Sequence, residues 1–280
     1  MTAARIMGIV NVTPDSFSDG GLYLDPEAAT AHGRELVAEG ADILDIGGES
    51  TRPGAAEVGA TEEIRRVVPV IEALTADGAT VSIDTSKAEV AAAAIDAGAT
   101  IVNDVTALAD PAMAPLCAER GVELVLMHMQ GTPRTMQENP SYDEVVTDVR
   151  DFLAGRIESA VAAGVAEERI WVDPGIGFGK TVDHNLELIK RLGELRTLGR
   201  PILLGASRKS FLGKITGSEV GERIGASLAA ALIGVQAGAD AVRVHDVAAT
   251  RDALAVLEAT RSAGRTGYAH LSDVAPEAGA

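Results

Sequence analysis

Apolar and polar positions along the chain fall into two alternating textures. Short runs rich in Val, Ile and Leu, each closing on polar residues, occupy 4–12, 41–48, 80–85, 100–105, 123–128, 169–174, 201–207 and 241–247. Their length and β-branched content predict strands. Between them, 26–38, 62–75, 88–96, 111–120, 144–163, 186–198, 222–236 and 249–259 repeat their apolar residues at the helical period. Several of these segments close on Gly and a small residue, as in EGAD, DAGAT and QAGAD. Such a Gly suits a left-handed cap ahead of the next strand.

Strict alternation of strand and helix predicts parallel strands joined by crossover helices. Eight such units in 280 residues predict an α/β fold, a single-domain (β/α)8 TIM barrel. The barrel should span 1–263, and the small, acidic, aperiodic stretch 264–280 reads as a surface tail. A doubly wound open sheet satisfies the same periodicity, but no GxGxxG follows the first strand. Hydrophobic residues make up 46% of the chain and aromatics only 3%, so small and branched side chains must fill the core. That suits parallel strands buried on both faces.

Charge narrows the ligands. A net charge of -17 argues against nucleic acid, whose phosphates it cannot neutralise. It also repels a diphosphate at long range, so a phosphate site must be a local cluster of cations and backbone amides. The lone Cys117 excludes a disulfide within the chain and a Cys-based zinc site, and reads as a core thiol in a reducing, cytoplasmic setting. The first ten residues are too quickly followed by polar ones for a signal peptide, and no apolar run approaches the roughly 18 residues of a membrane span.

Candidate chemistry gathers at one end of the predicted barrel. Asn11, Asp45, Asp84, Asn103, His128, Asp173, Lys209, Arg243 and His245 all lie at or just after strand C-termini. That is the ligand-binding face of a parallel barrel. Two loops at the same end, NVTPDSFSDGG at 11–21 and GGESTRPGA at 47–55, exceed the usual two to six residues of a βα connection. They read as lids, with ordinary surface turns as the alternative.

With these segments in view the chain resembles the dihydropteroate synthase family over nearly its whole length. The resemblance rests on MGIVNVTPDSFSDGG, DIGGESTRPGA, SIDTSKAEV, IVNDVTA, DPGIGFGKT followed by His184 and Asn185, GASRKSFLG and AVRVHDV. Ser86 stands where the family commonly has an aromatic, and Ile176 where Phe is common. Neither replaces a polar site group.

The resemblance implies a transferase of folate biosynthesis and a sulfonamide target. It would condense (7,8-dihydropterin-6-yl)methyl diphosphate with 4-aminobenzoate by a dissociative substitution, with Mg²⁺ as cofactor. Asp84, Asn103, Asp173 and Lys209 would grip the pterin. Arg243, the Val244 backbone and His245 would hold the diphosphate, aided by the N-terminal amides of the last helix, with Thr51 reaching in from the second loop. Asn11 would bind the metal. Phe17, Arg52, Pro53, Phe178 and Ser210 would meet the aminobenzoate, and Asp19 would stabilise the developing cation. The catalytic set is then Asp19, Arg52, Lys209, Arg243 and His245.

Blander readings stand beside these. Asp84 or Asp173 alone could be helix N-caps, Phe178 a packed aromatic and His245 a satisfied core histidine. Arg208 reads as structural, and Asp246 as structural or helix-capping. The family's dimers use late helices, and 224–236 could serve either such a face or the core. Two other functions share the pterin pocket: a corrinoid methyltransferase barrel that binds methyltetrahydrofolate, and a pterin-binding paralogue without turnover. The RVH segment argues against the first and the intact loops against the second.

Overall fold

A computed structural model describes residues 4–13, 26–50, 57–132 and 135–263 of the chain. Phe17, Asp19, Thr51, Arg52, Pro53 and the expected tail 264–280 lie outside the described residues. Eight strands form one sheet: β1 (Arg5–Asn11), β2 (Ile43–Gly47), β3 (Val81–Asp84), β4 (Ile101–Asp104), β5 (Glu123–Met127), β6 (Ile170–Asp173), β7 (Leu203–Leu204) and β8 (Ala241–Val244). Every pairing is parallel and joins strands consecutive in the chain, and β1 also pairs with β8. A single bridge, Val172 to Ile202, joins β6 to β7, and the Val172 N–H donates to the Pro201 carbonyl at 3.0 Å. The ring is thereby closed, which removes the open-sheet alternative. β7 is shorter than its apolar run because Pro201 has no N–H for the ladder and polar residues follow from Ser207.

The described helices are α1 (Pro26–Glu39), α2 (Ala60–Ala76), α3 (Ala88–Asp96), α4 (Met113–Arg120), α5 (Val145–Ala162), α6 (Val182–Lys190), α7 (Ser210–Thr216), α8 (Ile224–Ala237) and α9 (Val247–Ser262). Most match the periodic segments, and Gly40, Gly98 and Gly238 at the expected closures all have positive φ. Two differences have local causes. The segment 186–198 is not one helix but α6 and a 3-10 turn, Leu192–Leu198. α6 starts early because Thr181 and His184 form a reciprocal cap, with the Thr181 hydroxyl accepting the His184 N–H at 3.2 Å. α7 is too short to show a helical period and is additional to the expected set.

Strand alternation builds the barrel in layers. Met7, Ile43, Ile101, Val125, Trp171, Leu203 and Ala241 form one buried apolar cluster, a floor made from seven strands. Their neighbours, such as Ile6, Leu44, Val102, Leu124, Val172, Leu204 and Val242, belong to the larger core shared with the helices. Side chains two residues further along a strand return to the floor's side. Those positions are Ile9, Asp45, Asn103, Met127, Asp173, Gly205 and Arg243. The inner polar residues therefore sit one layer above an apolar floor. Among the described residues, no helix is long and apolar enough to cross a membrane.

Helix α8 docks on β7 through Gly234, where an added Cβ would overlap Leu204 Cδ2. Gly155, on the exposed side of α5, faces open space. In urea denaturation, Gly234→Ala is expected to destabilise by about 1–3 kcal/mol. Gly155→Ala should stabilise by about 0.5–1 kcal/mol. Equal effects would contradict the close docking of α8.

Candidate active site

Asp45 stands at the centre of the polar layer and is fully buried. Its Oδ1 accepts the Ser82 hydroxyl at 2.6 Å, and its Oδ2 accepts Asn103 Nδ2 at 3.0 Å and Arg243 Nε at 2.5 Å. The other arm of the Arg243 guanidinium reaches Asp84 Oδ2 at 2.7 Å. Burial alone would lower the Arg243 pKa, but Asp45 and Asp84 outweigh it and hold the guanidinium charged. Burial pushes the Asp84 carboxyl up, to about 7, against the pull of Arg243. The Asn103 amide is oriented by Asp45, so its Oδ1 remains a buried acceptor with no partner among the described residues. An orphaned buried acceptor calls for a ligand donor or water. Lys87 and Thr181 precede α3 and α6 as their N-cap residues, so neither Asp84 nor Asp173 is a helix cap.

On the opposite side Asp173 ends β6, and its Oδ1 accepts the Gly175 N–H at 2.7 Å. Gly175 has φ +67, and a Cβ there would strike the His128 carbonyl, so only glycine permits this turn. Burial raises the Asp173 pKa to about 6, opposed by the Gly175 N–H, Lys209, Arg243 and Lys180. The following loop carries Phe178, and Lys209 Nζ lies 3.9 Å from the centre of its ring. That contact is a cation–π pair rather than simple apolar packing.

These groups border a cavity of about 650 Å³, lined among others by Asn11, Asp84, Phe178, Lys209, Ser210, Arg243 and His245. Arg208, Lys214 and Arg223 also line it, so cations gather locally in a chain of strongly negative net charge. The Ser207 hydroxyl oxygen accepts the His245 N–H at 3.2 Å and lies 3.0 Å from His245 Nδ1. These two contacts hold the imidazole in place against Ser207 and leave Nε2 as its other polar atom. His245 is thus a polar group of the cavity wall and not a core histidine.

The structure gives several of the expected groups partners within the protein. Arg243, assigned to the diphosphate, is bound by Asp45 and Asp84 within the polar layer. Val244, the last residue of β8, is buried. Asp246 precedes α9 but makes no side-chain cap; it pairs with Arg208 at 2.6 Å, so both are structural. The Ala248 amide of that helix donates to Glu39 at 3.3 Å, which leaves it less able to serve an anion. His128 lies beyond inward-facing Met127 and turns away, against Phe152 with ring centres 4.8 Å apart.

Sequence reading also passed over three groups. Ser207 holds the His245 ring in place; it lay in plain view in the GASRKS segment. Lys180 is almost completely buried beside His128. Lys87 bridges Glu49 at 2.5 Å and Glu63 at 2.7 Å, and Glu49 in turn accepts the Val58 N–H at 2.9 Å. The triad braces residues 49 and 58 on either side of the second loop.

The geometry matches known proteins. A family model described as pterin binding enzyme covers residues 7–245. The dihydropteroate synthase of Mycobacterium leprae is 52% identical over 273 residues, 94% of this chain and 96% of that protein. The chain belongs to the dihydropteroate synthase family. Its activity is accordingly that of a transferase in folate biosynthesis. A crystal structure of the Yersinia pestis dihydropteroate synthase with a sulfonamide drug complex superposes with a TM-score of 0.91 at 46% identity, covering 93% of this chain and 95% of that one. The Xanthomonas albilineans dihydropteroate synthase in complex with 7,8-dihydropteroate gives 0.84 at 48% identity, covering 94% and 96%.

The raised pKa of Asp173 is a stability statement for this synthase. The folded chain holds the Asp173 proton more tightly than the unfolded chain, so stability falls as pH rises from about 4 through about 6, by an amount on the order of 3 kcal/mol. Asp173→Asn keeps an acceptor for Gly175 and removes the charge. It is expected to melt at a higher temperature than the wild type at pH 8, with the difference shrinking towards pH 4.5. A lower melting temperature at pH 8 would contradict this.

Proposed function

We propose that the cavity joins (7,8-dihydropterin-6-yl)methyl diphosphate to 4-aminobenzoate, with the pterin seated on the polar layer and the diphosphate at the cationic rim. The observation that carries this seating is the buried, unpartnered Oδ1 of Asn103 beside Asp84 and Arg243. It calls for a flat ligand with ring N–H donors, which a pterin provides. The Asp173 carboxylate can accept an amino group and a ring N–H together, through charge-assisted bonds stronger than neutral ones. Lys209 supplies donors for the ring carbonyl and a ring nitrogen, and its cation–π contact with Phe178 holds both side chains at the pocket edge. Ser210, exposed beside Lys209, is placed to meet the aminobenzoate carboxylate.

In the reaction the methylene C–O bond breaks first and its electron pair leaves with the diphosphate. The electron-rich dihydropterin spreads the positive charge left on the methylene, and the aniline nitrogen then attacks and loses its proton. His245 and the rim cations stabilise charge growing on the leaving group, as preorganised donors should. Arg243 acts from below, with its charge already shared between Asp45 and Asp84.

Asn11 fits a role as a magnesium ligand. Its Oδ1 and Asp84 Oδ2 both lie 3.8 Å from where a Gly47 Cβ would stand, so the missing side chain leaves space beside two oxygens. No group of three His, Cys, Asp or Glu that could hold a metal occurs among the described residues. Mg²⁺ takes few protein ligands when a substrate phosphate and waters complete its shell. Held by Asn11, it would supply positive charge to the leaving diphosphate.

A second copy of the chain is the proposed partner of α8. That helix buries Ser227, Ala230, Ala231, Gly234 and Val235 yet exposes Ile224 and Ile233 at 43% and 49%. A reducing compartment such as the cytoplasm suits the buried thiol of Cys117.

Purified protein with the dihydropterin methyl diphosphate is expected to release diphosphate only when both 4-aminobenzoate and Mg²⁺ are added. Lys209→Ala should raise KM for the pterin substrate by tenfold or more. Folded protein that binds pterin but releases no diphosphate would contradict the synthase reading in favour of a binding paralogue.

A further inference from the structure

Lys180 is a buried lysine that no ligand role explains. It ends the loop that leaves β6 and is 3% exposed. Its Nζ donates to the Phe178 carbonyl at 2.9 Å, to His128 Nδ1 at 2.9 Å and to the His128 carbonyl at 3.4 Å. Three acceptors match the three hydrogens of one ammonium. The His128 N–H in turn donates to the Asp173 carbonyl at 3.0 Å. The Tyr142 hydroxyl secures the same loop by donating to the Gly179 carbonyl at 2.6 Å. Among the described residues no carboxylate contacts this ammonium directly. A buried cation is costly without compensation, so its retention here needs a reason.

We propose that Lys180 is a positioning residue for pterin recognition: it pins the Asp173–Lys180 loop to the end of β5, fixing Phe178, and supplies a buried positive charge behind Asp173. The proposal rests on the reading that Asp173 grips the pterin as a carboxylate. The charges facing Asp173 are Lys180 from its own loop, Lys209 from the loop after β7 and Arg243 from β8, with Asp45 and Asp84 beyond Arg243. Those facing Lys180 are Asp173, Lys209 and His128. His128 stays neutral, because burial first and Lys180 second lower its pKa to about 3. Burial lowers Lys180 to about 7, with Asp173 pulling it back up. Since Asp173 titrates near 6, the ammonium is present across the range in which the carboxylate forms. Removing the ammonium therefore moves Asp173 ionisation to higher pH, and pterin binding with it.

The test is calorimetric binding of the dihydropterin methyl diphosphate to the full chain from pH 5 to 8.5, with steady-state kinetics for 4-aminobenzoate. Lys180→Gln keeps a donor for the Phe178 carbonyl and removes the charge; Lys180→Met removes both. Both variants should shift the midpoint of pterin binding upward by at least half a pH unit, with at least a threefold loss of affinity at pH 6 and little loss at pH 8.5. Lys180→Met should in addition raise KM for 4-aminobenzoate, while Lys180→Gln should leave it within twofold. If Lys180→Met does not fold, the pH midpoint of Lys180→Gln decides. A wild-type midpoint in Lys180→Gln overturns the proposal. Asp173→Asn serves as the reference: if it binds pterin with wild-type affinity and pH dependence, the assignment of Asp173 falls, and the proposal with it.

Discussion

Arg243 holds two carboxylates at once, one fully buried and one at the cavity wall, and the pocket depends on that grip. From β8 its guanidinium crosses to Asp45 on β2 and Asp84 at the end of β3. The wider layer sets three carboxylates, Asp45, Asp84 and Asp173, against three cations, Arg243, Lys180 and Lys209. Isolated, any one of these charges would cost several kcal/mol to bury, and loss of one partner leaves the other uncompensated. Balance explains how a barrel interior tolerates so much charge. It also makes the layer rigid, since Asp45 fixes Asn103, and Asn103 then presents one orphaned acceptor.

The barrel's contribution is geometric. Period-two alternation puts a polar residue directly above the apolar floor on several strands, such as Asp45 above Ile43 and Arg243 above Ala241. The floor fixes depth, the polar layer fixes a flat donor–acceptor surface, and the cavity above collects cations from the loops. Chemistry then needs little more than positioning. The leaving group carries away its electrons, the ring spreads the positive charge, and protein groups with fixed orientation, such as His245 held by Ser207, meet the developing negative charge.

Much of this was legible in the chain. Strand and helix alternation gave the closed barrel, and the polar strand ends gave the ligand face. Partners were not legible, because they are distant in sequence: Arg243 lies 198 residues from Asp45 and 159 from Asp84. Without them Arg243 looked like a diphosphate clamp only. His128 does follow a strand end, but its side chain leaves the ligand face. Its position after a strand suggested the ligand face, but with Val125 and Met127 inward it had to point outward. Lys180 escaped notice because a lysine after a glycine-rich loop reads as exposed, and its burial depends on the loop folding back over β5. α7 was hidden by its length, which is under two full turns.

The most direct test of the charge layer is a double-mutant cycle between Asp45 and Arg243, read as unfolding free energy in urea for Asp45→Asn, Arg243→Gln and the pair. If Arg243 is the hub of the layer, the two changes are expected to couple by at least about 1.5 kcal/mol, with the pair less damaging than the sum of the single changes. Effects that add to within about 0.5 kcal/mol would show that the two groups do not depend on each other and would contradict the shared grip beneath the pocket.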